Sequence, residues 1–379
     1  MNTPITIFLV GLGGYANNHV NTLLKNSRGH NISIVGGADT DPKNCLLLDD
    51  LINAGAYITT GMDDFYSRHA ADLCIISTPI HFHKKHVITA LKHGSHVLCE
   101  KPSAGCMDDL KEMMAAQRKY KKDVAVGFQS SFFKAMLRFK QDVIDGVWGR
   151  PKLLKSIILW PRTTQYYNHG WRGKRFSENG ECIMDSIASN ACAHYLHNMF
   201  FVLGDKIDAA AMPTIGEIEL SKVNNIETFD TIAARFKTSE NVEVLFYASH
   251  AVNNLQNPYF EFRFENGTVK RDLENGTLIG VFNNGQIKDY GKTGDKEEKI
   301  FTVLDKISDK TDILPCSLTT TIPHVTALDM INSRLADVYS IPDDGIGKHE
   351  TKEGTVLYAK GLFELFYECF EKELLPKEL

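Results

Sequence analysis

Three sets of residues in this chain have types and spacings that could do chemistry. The first is Glu100-Lys101-Pro102, which follows HVLC (His96–Cys99), an apolar run of strand length. In open α/β sheets ligands lie beyond the carboxyl ends of the strands, so a lysine delivered there is a candidate for acid–base work. The second is GLGGYA at 11–16, which fits G-x-G-x-x-A with Gly11, Gly13 and Ala16 in the three positions and Gly14 and Tyr15 between them. The first glycine permits a tight turn and the second lets backbone N–H groups approach a pyrophosphate. The small third residue lets helix and strand pack closely. The third set lies in NACAHYLHNMFFVLG (190–204), where Asn190, His194 and His197 fall at i, i+4 and i+7. On a continuous helix one face would present all three. Asparagine can orient a hydroxyl through its amide but cannot take a proton.

The surrounding pattern predicts the elements that position them. ITIFLV (5–10) reads as a buried parallel strand, and NNHVNTLLKN after the glycines has helical spacing. That helix start offers unpaired N–H donors and a positive dipole end to phosphates. ISIVGGAD (32–39) is a second strand ending at Asp39, about twenty residues past the turn, where a carboxylate can accept bonds from adenosine ribose hydroxyls. No arginine follows Asp39 to hold a 2′-phosphate, which favours NAD as the cofactor, with NADP as the alternative. A helix at 45–54, a strand at 56–60, a helix near Asp63–His69 and a strand at Leu73–Ile76 continue the alternation. Ser77-Thr78-Pro79 then leads to a helix at Lys84–His93 closed by Gly94, the strand HVLC, a helix at Met107–Tyr120 and a strand at 123–128. Six short strands alternating with helices predict a Rossmann-type domain over residues 1–128.

After Gln129 the pattern changes, and residues 129–379 are expected to form a second, substrate-binding domain. A helix (Phe132–Ile144) and a strand (152–160) precede an aromatic, basic loop, and a helix is expected over Ile187–Leu203. Asp185 is expected to cap that helix at its N-terminus. From Ile207 to about Tyr290 the period is two, with turns at Glu265-Asn266-Gly267, Glu274-Asn275-Gly276 and Asn284-Gly285, which predicts a large, mostly antiparallel sheet. Two helices, near Thr326–Tyr339 and Thr355–Glu373, are expected to close the chain, and these C-terminal helices could pack back on the first domain. In the loop, Trp160, Arg162, Tyr166, Tyr167, His169, Trp171 and Arg172 combine flat apolar faces with hydrogen-bond donors, a mixture suited to sugar rings. The same residue types also suit a subunit or domain contact.

Composition bounds the function classes. With 379 residues, 43% hydrophobic and 23% charged, the chain reads as an ordinary two-domain globular protein. A formal charge of -5 gives no basic patch for nucleic acid. The N-terminal MNTPITIFLVGLGG lacks a basic n-region and its apolar run is only strand length, so neither a secretory signal nor a membrane span is expected. Eight scattered cysteines without a C-x-x-C pair suit a reducing cytoplasm. His194, His197 and Cys192 lack further ligands at a recognisable spacing, so no metal is expected.

The glycine motif with Asp39, the Ser77-Thr78-Pro79 turn with His83, and G-S-H-V-L-C-E-K-P at 94–102 together resemble the Gfo/Idh/MocA oxidoreductase family, over nearly the whole chain. The resemblance implies an N-terminal Rossmann domain and a C-terminal α/β domain whose sheet forms a homodimer or homotetramer contact. It implies hydride transfer between a carbinol carbon of a sugar, sugar derivative or polyol and nicotinamide. Lys101 then takes the catalytic lysine position, with a cis bond to Pro102. A lysine desolvated beside a cationic nicotinamide would have its pKa lowered toward working pH. Glu100 and Thr78-Pro79 border the cofactor, and His83 matches a position that is more often structural. His194 falls on the family's histidine position and would act in proton transfer, while Asn190 stands where the family has an aspartate. Trp160, Arg162, Trp171 and Arg172 join Lys101, Asn190 and His194 as substrate-binding candidates. His81, His86, His93 and His96 have no support from spacing, and His324 could reach the site from a helix start. Two other readings stay open: an NAD-dependent glycosidase working through a transient keto-sugar, and a non-catalytic NAD(P)-binding regulatory protein.

Overall fold

The computed structural model describes residues 3–27, 29–168, 170–294 and 296–379; His169 of the aromatic loop lies outside the described residues. The chain divides into two compact units. One comprises Met1–Ala104, Asp108–Gln129 and Asp295–Thr319, the other Gly105–Met107, Ser130–Gly294 and Thr320–Leu379. Among the described residues the helices are α1 (Ala16–Asn26), α2 (Leu48–Asn53), α3 (Met62–Arg68), α4 (His83–Lys92), α5 (Met107–Tyr120), α6 (Lys134–Ile144), α7 (Ala193–Val202), α8 (Glu298–Ile307), α9 (Ile322–Asn332) and α10 (Leu362–Lys372). None of them is long and apolar enough to cross a membrane.

In the first unit β1 (Ile5–Val10), β2 (Ile32–Ala38), β3 (Tyr57–Thr59), β4 (Leu73–Ile76), β5 (His96–Cys99) and β6 (Val124–Val126) form one sheet in the order β3-β2-β1-β4-β5-β6. Every neighbouring pair is parallel. This is the Rossmann order, reversing between β1 and β4. Strands β4 and β6 are buried at every residue, as a parallel sheet covered on both faces requires. Phe8 of β1 stacks on Phe65 of α3 with ring centroids 3.8 Å apart. The stack needs Gly36 on β2, because a Cβ there would lie 2.3 Å from the Phe65 ring. Helix α8 joins this unit from far along the chain, burying Ile300, Val303 and Leu304 at helical spacing. The alternation of period two just before it hid this helix from the sequence reading.

The second unit is built on a nine-stranded mixed sheet. Its strands are β7 (Pro151–Leu159), β8 (Pro213–Lys222), β9 (Thr231–Thr238), β10 (Glu243–Ser249), β11 (Gln256–Phe264), β12 (Gly267–Arg271), β13 (Thr277–Phe282), β14 (Ile287–Lys292) and β15 (Tyr339–Ser340). They run in the order β14-β13-β12-β11-β7-β10-β9-β8-β15, and only the β7–β10 and β8–β15 pairs are parallel. Strand periodicity divides the core between two faces. Leu154 and Ile158 of β7, with Val244, Phe246 and Ala248 of β10, pack in the cluster that holds α6, α7 and α9. Leu153, Ile157 and Leu159, with Leu245 and Tyr247, pack against α10. That double burial is why the β7 sequence is apolar along most of its length.

Four sequence expectations need correction here. The helix expected over 187–203 begins only at Ala193, so Asn190 precedes it and does not share a helical face with His194 and His197. Ser186 and Ser189 explain the delay. Ser189 Oγ accepts from Ser186 N–H at 2.8 Å and donates to Met184 O at 2.9 Å, side-chain bonds that compete with helix. Asp185 is not the N-cap; Cys192 stands there without a side-chain cap, while the Asp185 carboxylate accepts from Gly173 N–H at 2.7 Å. The expected Thr355–Glu373 helix is two elements. Strand β17 (Gly354–Ala359) pairs with β16 (Ile346–Thr351), and α10 starts after Gly361, whose φ of +76° turns the chain. Likewise the helix expected near Thr326–Tyr339 runs instead from Ile322 to Asn332.

Candidate active site

The first unit gathers its candidates on loops at the carboxyl ends of parallel strands: Gly11–Tyr15 after β1, Asp39 after β2, Ser77–Pro79 after β4 and Glu100–Pro102 after β5. Because the strand order reverses at β1 and β4, the first and third loops border one crevice. They approach so closely that only glycine fits. Gly11 has φ +81°, and a Cβ on it would lie 2.8 Å from Ser77 O. Asp39 braces the turn: its Oδ2 accepts from Leu12 N–H at 2.7 Å and Gly13 N–H at 3.4 Å, and its Oδ1 accepts from Asp41 N–H at 2.9 Å. Around Gly14 there is open space, with no atom within 4 Å of where a Cβ would stand. Ala16 is buried at the start of α1. A side-chain-free turn, an accessible backbone, a helix N-terminus and a carboxylate at the end of β2 are what a dinucleotide's pyrophosphate and ribose require. The residues present therefore fit that group.

Behind this crevice lies a buried charge cluster that the sequence did not reveal. Lys299 of α8, only 1% exposed, is directly ion-paired with Glu100 Oε1. His19 of α1 places Nε2 3.3 Å from the same oxygen and Nδ1 3.1 Å from Ser77 Oγ. Lys299 Nζ also lies 3.5 Å from the Tyr15 hydroxyl. Burial pushes the Glu100 carboxyl up, but Lys299 and His19 outweigh it and hold it well below the usual carboxylate range. Burial pulls the Lys299 ammonium down, and Glu100 with Tyr15 more than restores it. The His19 imidazole is pushed down by burial and by Lys299, against the pull of Glu100. Glu100 and Lys299 are 199 residues apart, and nothing in the helical pattern of α8 marks its lysine as buried.

Lys101 itself is half-buried; its N–H donates to Glu100 Oε2 at 3.3 Å and its bond to Pro102 is cis. His83 clamps the neighbouring loops together. Its Nδ1 lies 2.8 Å from Pro102 O and its Nε2 2.8 Å from Thr78 O, while burial pushes its pKa down. His83 thus holds the Thr78-Pro79 turn against the Glu100–Pro102 turn. Thr78 Oγ1 in turn lies 3.0 Å from His86 Nδ1, an imidazole lowered to about 4 mainly by burial.

In the second unit the expected loop residues converge on Tyr166. The Arg172 guanidinium carbon lies 4.3 Å from its ring centre and that of Arg162 5.3 Å, while Arg162 is also 5.9 Å from the Trp160 ring. Asn190 Nδ2 donates to the Tyr166 hydroxyl at 3.4 Å. Burial, reinforced by Asp185, raises the Tyr166 phenol to about 12 despite the two arginines. His250, which the sequence reading passed over, anchors the loop: its Nδ1 lies 2.7 Å from Trp160 O, and burial then Arg162 push it down to about 3. Trp171 is half-buried, and its carbonyl accepts from Lys174 N–H at 3.3 Å. His194 is half-buried on the first turn of α7. His197 is fully buried, its Nε2 3.1 Å from Ser131 Oγ and its ring 6.2 Å from that of His324, also fully buried. These two belong to the core between α7 and α9.

Comparison with known proteins agrees with the first unit's architecture. Residues 5–128 match the family model described as "Oxidoreductase family, NAD-binding Rossmann fold". The likeness to this NAD-binding oxidoreductase family is thus carried by residues 5–128. An uncharacterized oxidoreductase of Streptococcus pneumoniae is 27% identical over 159 residues, 42% of this chain and 40% of that protein. The 2,7-anhydro-N-acetylneuraminate hydratase of Mediterraneibacter gnavus is 30% identical over 137 residues, 36% of this chain and 35% of its own. The chain thus spans less than half the length of these relatives. In fold the likeness is longer. The WlbA dehydrogenase from Bordetella pertussis, in complex with NADH and UDP-GlcNAcA, superposes with TM-score 0.71 at 19% identity, covering 88% of this chain and 97% of that one. Levoglucosan dehydrogenase in complex with NADH gives TM-score 0.73 at 16% identity over 88% and 98%.

Proposed function

We propose that the protein is an NAD-dependent dehydrogenase acting on a CH–OH group of a sugar, sugar derivative or polyol. The observation that carries this reading is the delivery of Glu100-Lys101-Pro102 to the carboxyl end of β5, beside a glycine turn braced by Asp39. NAD, when bound, supplies the hydride acceptor. Gly11–Ala16 hold its pyrophosphate with backbone N–H groups, and Asp39 meets the adenosine ribose, where a 2′-phosphate would confront a carboxylate. Ser77–Pro79, positioned by His83, line the nicotinamide end. Lys101 takes the hydroxyl proton of the substrate. In the second unit His194 is the acid–base candidate, because Asn190 cannot take a proton and His197 is sealed in the core. Trp160 and Tyr166 offer flat faces to a pyranose-like ring. The family resemblance and the sugar-binding dehydrogenases among its structural neighbours support the substrate class.

NADH formation at 340 nm with NAD and a panel of sugars and polyols tests the assignment. Lys101→Met is expected to abolish turnover and to cost more than His194→Ala. Wild-type rates in Lys101→Met would sink the lysine assignment, and a His194→Ala variant more damaged than Lys101→Met would move the acid–base role to the second unit. Glycosidic cleavage without net NADH would mean that the oxidation is transient, and NADH binding without turnover on any substrate would mean a regulatory protein.

A further inference from the structure

Three buried hydrogen-bond donors within eleven residues of one loop face no acceptor among the described residues: Arg162 Nε, Arg172 Nε and the Tyr167 hydroxyl. Both arginines are half-buried and share the Tyr166 ring, at 5.3 and 4.3 Å, yet neither is ion-paired with a carboxylate among the described residues. Elsewhere in the unit Arg235 reaches Glu378 at 2.9 Å and Arg263 reaches Glu373 at 2.6 Å, while Arg271 donates to Pro258 O at 2.8 Å. No group near Tyr166 forms an ion pair with either arginine among the described residues. Asn190 points an amide N–H at the phenol, and His250 is held neutral at physiological pH by burial and Arg162. Asp185, the acid whose charge reaches the Tyr166 and Tyr167 phenols, gives one carboxylate oxygen to Gly173 N–H at 2.7 Å and is not ion-paired with either arginine among the described residues. Two guanidiniums around one aromatic ring repel each other, and unused buried donors are costly, so such an arrangement is built for a ligand that brings negative oxygens.

We propose that the substrate carries an anionic group, a carboxylate or a phosphate, which Arg162 and Arg172 bind with help from the Tyr167 hydroxyl. This rests on the dehydrogenase reading above and narrows its substrate class to sugar acids or sugar phosphates. Guanidinium bonds to carboxylate or phosphate oxygens are charge-assisted and of bidentate shape, which a neutral hydroxyl cannot match.

The test uses the NAD-loaded protein and matched probes: D-glucose, D-glucuronate and D-glucose 6-phosphate, with the corresponding galactose series. At least one anionic member should exceed its neutral parent in kcat/KM by about 10- to 100-fold, the range expected for hydrogen bonds to charged groups. The uronate and phosphate arms identify which anion is preferred. In Arg162→Gln/Arg172→Gln that preference should collapse to about parity, with circular dichroism unchanged. Equal or better turnover of the neutral parents, or a preference that survives in the double variant, overturns the proposal while leaving the dehydrogenase reading intact. Dissociation of an oligomer in the double variant with unchanged selectivity would assign the arginines to a subunit contact and overturn it too. If no NADH forms with these probes, the broader panel of sugars and polyols decides the dehydrogenase reading. The anion proposal is then decided by calorimetric binding of the same probes. Retention of uronate or phosphate binding, lost in the double variant, supports it, and no difference from the neutral sugars ends it.

Discussion

Replacing Lys299 by methionine removes a charge while keeping most of the side chain's volume. Lys299 is 1% exposed and its partner Glu100 sits at 9%, so the change strands a carboxylate in the interior with only His19 and the Lys101 N–H beside it among the described contacts. Removing one member of a buried ion pair costs about 3–5 kcal/mol. For a unit of this size that is roughly a 10 °C fall in Tm, at about 2–4 °C per kcal/mol. The pH dependence has a definite sign. Glu100 is depressed in the folded state, so its stabilisation is present above the ordinary carboxylate pKa and is lost as pH falls through the depressed value. Lys299 is raised, so its contribution is present below the ordinary lysine pKa and is lost as pH rises through the raised value. The wild-type pair is therefore fully expressed across neutral pH. In the variant burial, the largest influence on Glu100, is opposed only by His19 and lifts its pKa, so stability should recover as pH falls from 8 to 5.5. Scanning calorimetry at both pH values measures this, and adding Glu100→Gln to the variant should restore most of the loss. A cost below about 1 kcal/mol at pH 8, or a cost that does not shrink on acidification, would show that the cluster is solvated and the buried-charge reasoning wrong.

Two further outcomes concern the cofactor turn. Gly11→Ala places a Cβ 2.8 Å from Ser77 O at φ +81°, and NADH binding followed by fluorescence should weaken at least about tenfold, since a side chain in left-handed backbone costs roughly 1–2 kcal/mol before any clash; unchanged affinity would mean that the two loops are free to part. Asp39→Asn removes the carboxylate that accepts from Leu12 N–H at 2.7 Å. NAD affinity should fall by about tenfold or more, as expected for losing a charged hydrogen bond, and the NADP-to-NAD affinity ratio should rise. An unchanged ratio would remove Asp39 from cofactor discrimination.

Local chemistry accounts for what was legible. The turn at Gly11, the strand ending at Asp39 and the sequence Glu100-Lys101-Pro102 are short segments whose composition dictates their own conformation, and the structure sets them at the ends of parallel strands of one sheet. The start of α7 was misread because the period of the apolar residues does not report the Ser186 and Ser189 hydroxyls, which hold 186–192 out of the helix. Strand β17 was misread because Thr355–Ala359 runs directly into a helical pattern and owes its extension to pairing with β16.

By itself, the sequence determined the alternation of strands and helices, the glycine turn, the end-of-strand lysine and the change to period two after the first domain. Those features depend on neighbours in the chain, through steric limits on backbone angles and the burial of every third, fourth or second residue. Only the tertiary structure decided that Lys299 meets Glu100, that His83 joins two loops, and that Arg162 and Arg172 share Tyr166 with no ion-paired acid among the described residues. Ion pairing and burial depend on distance in space. No residue's type announces which distant partner will neutralise it, or that none will.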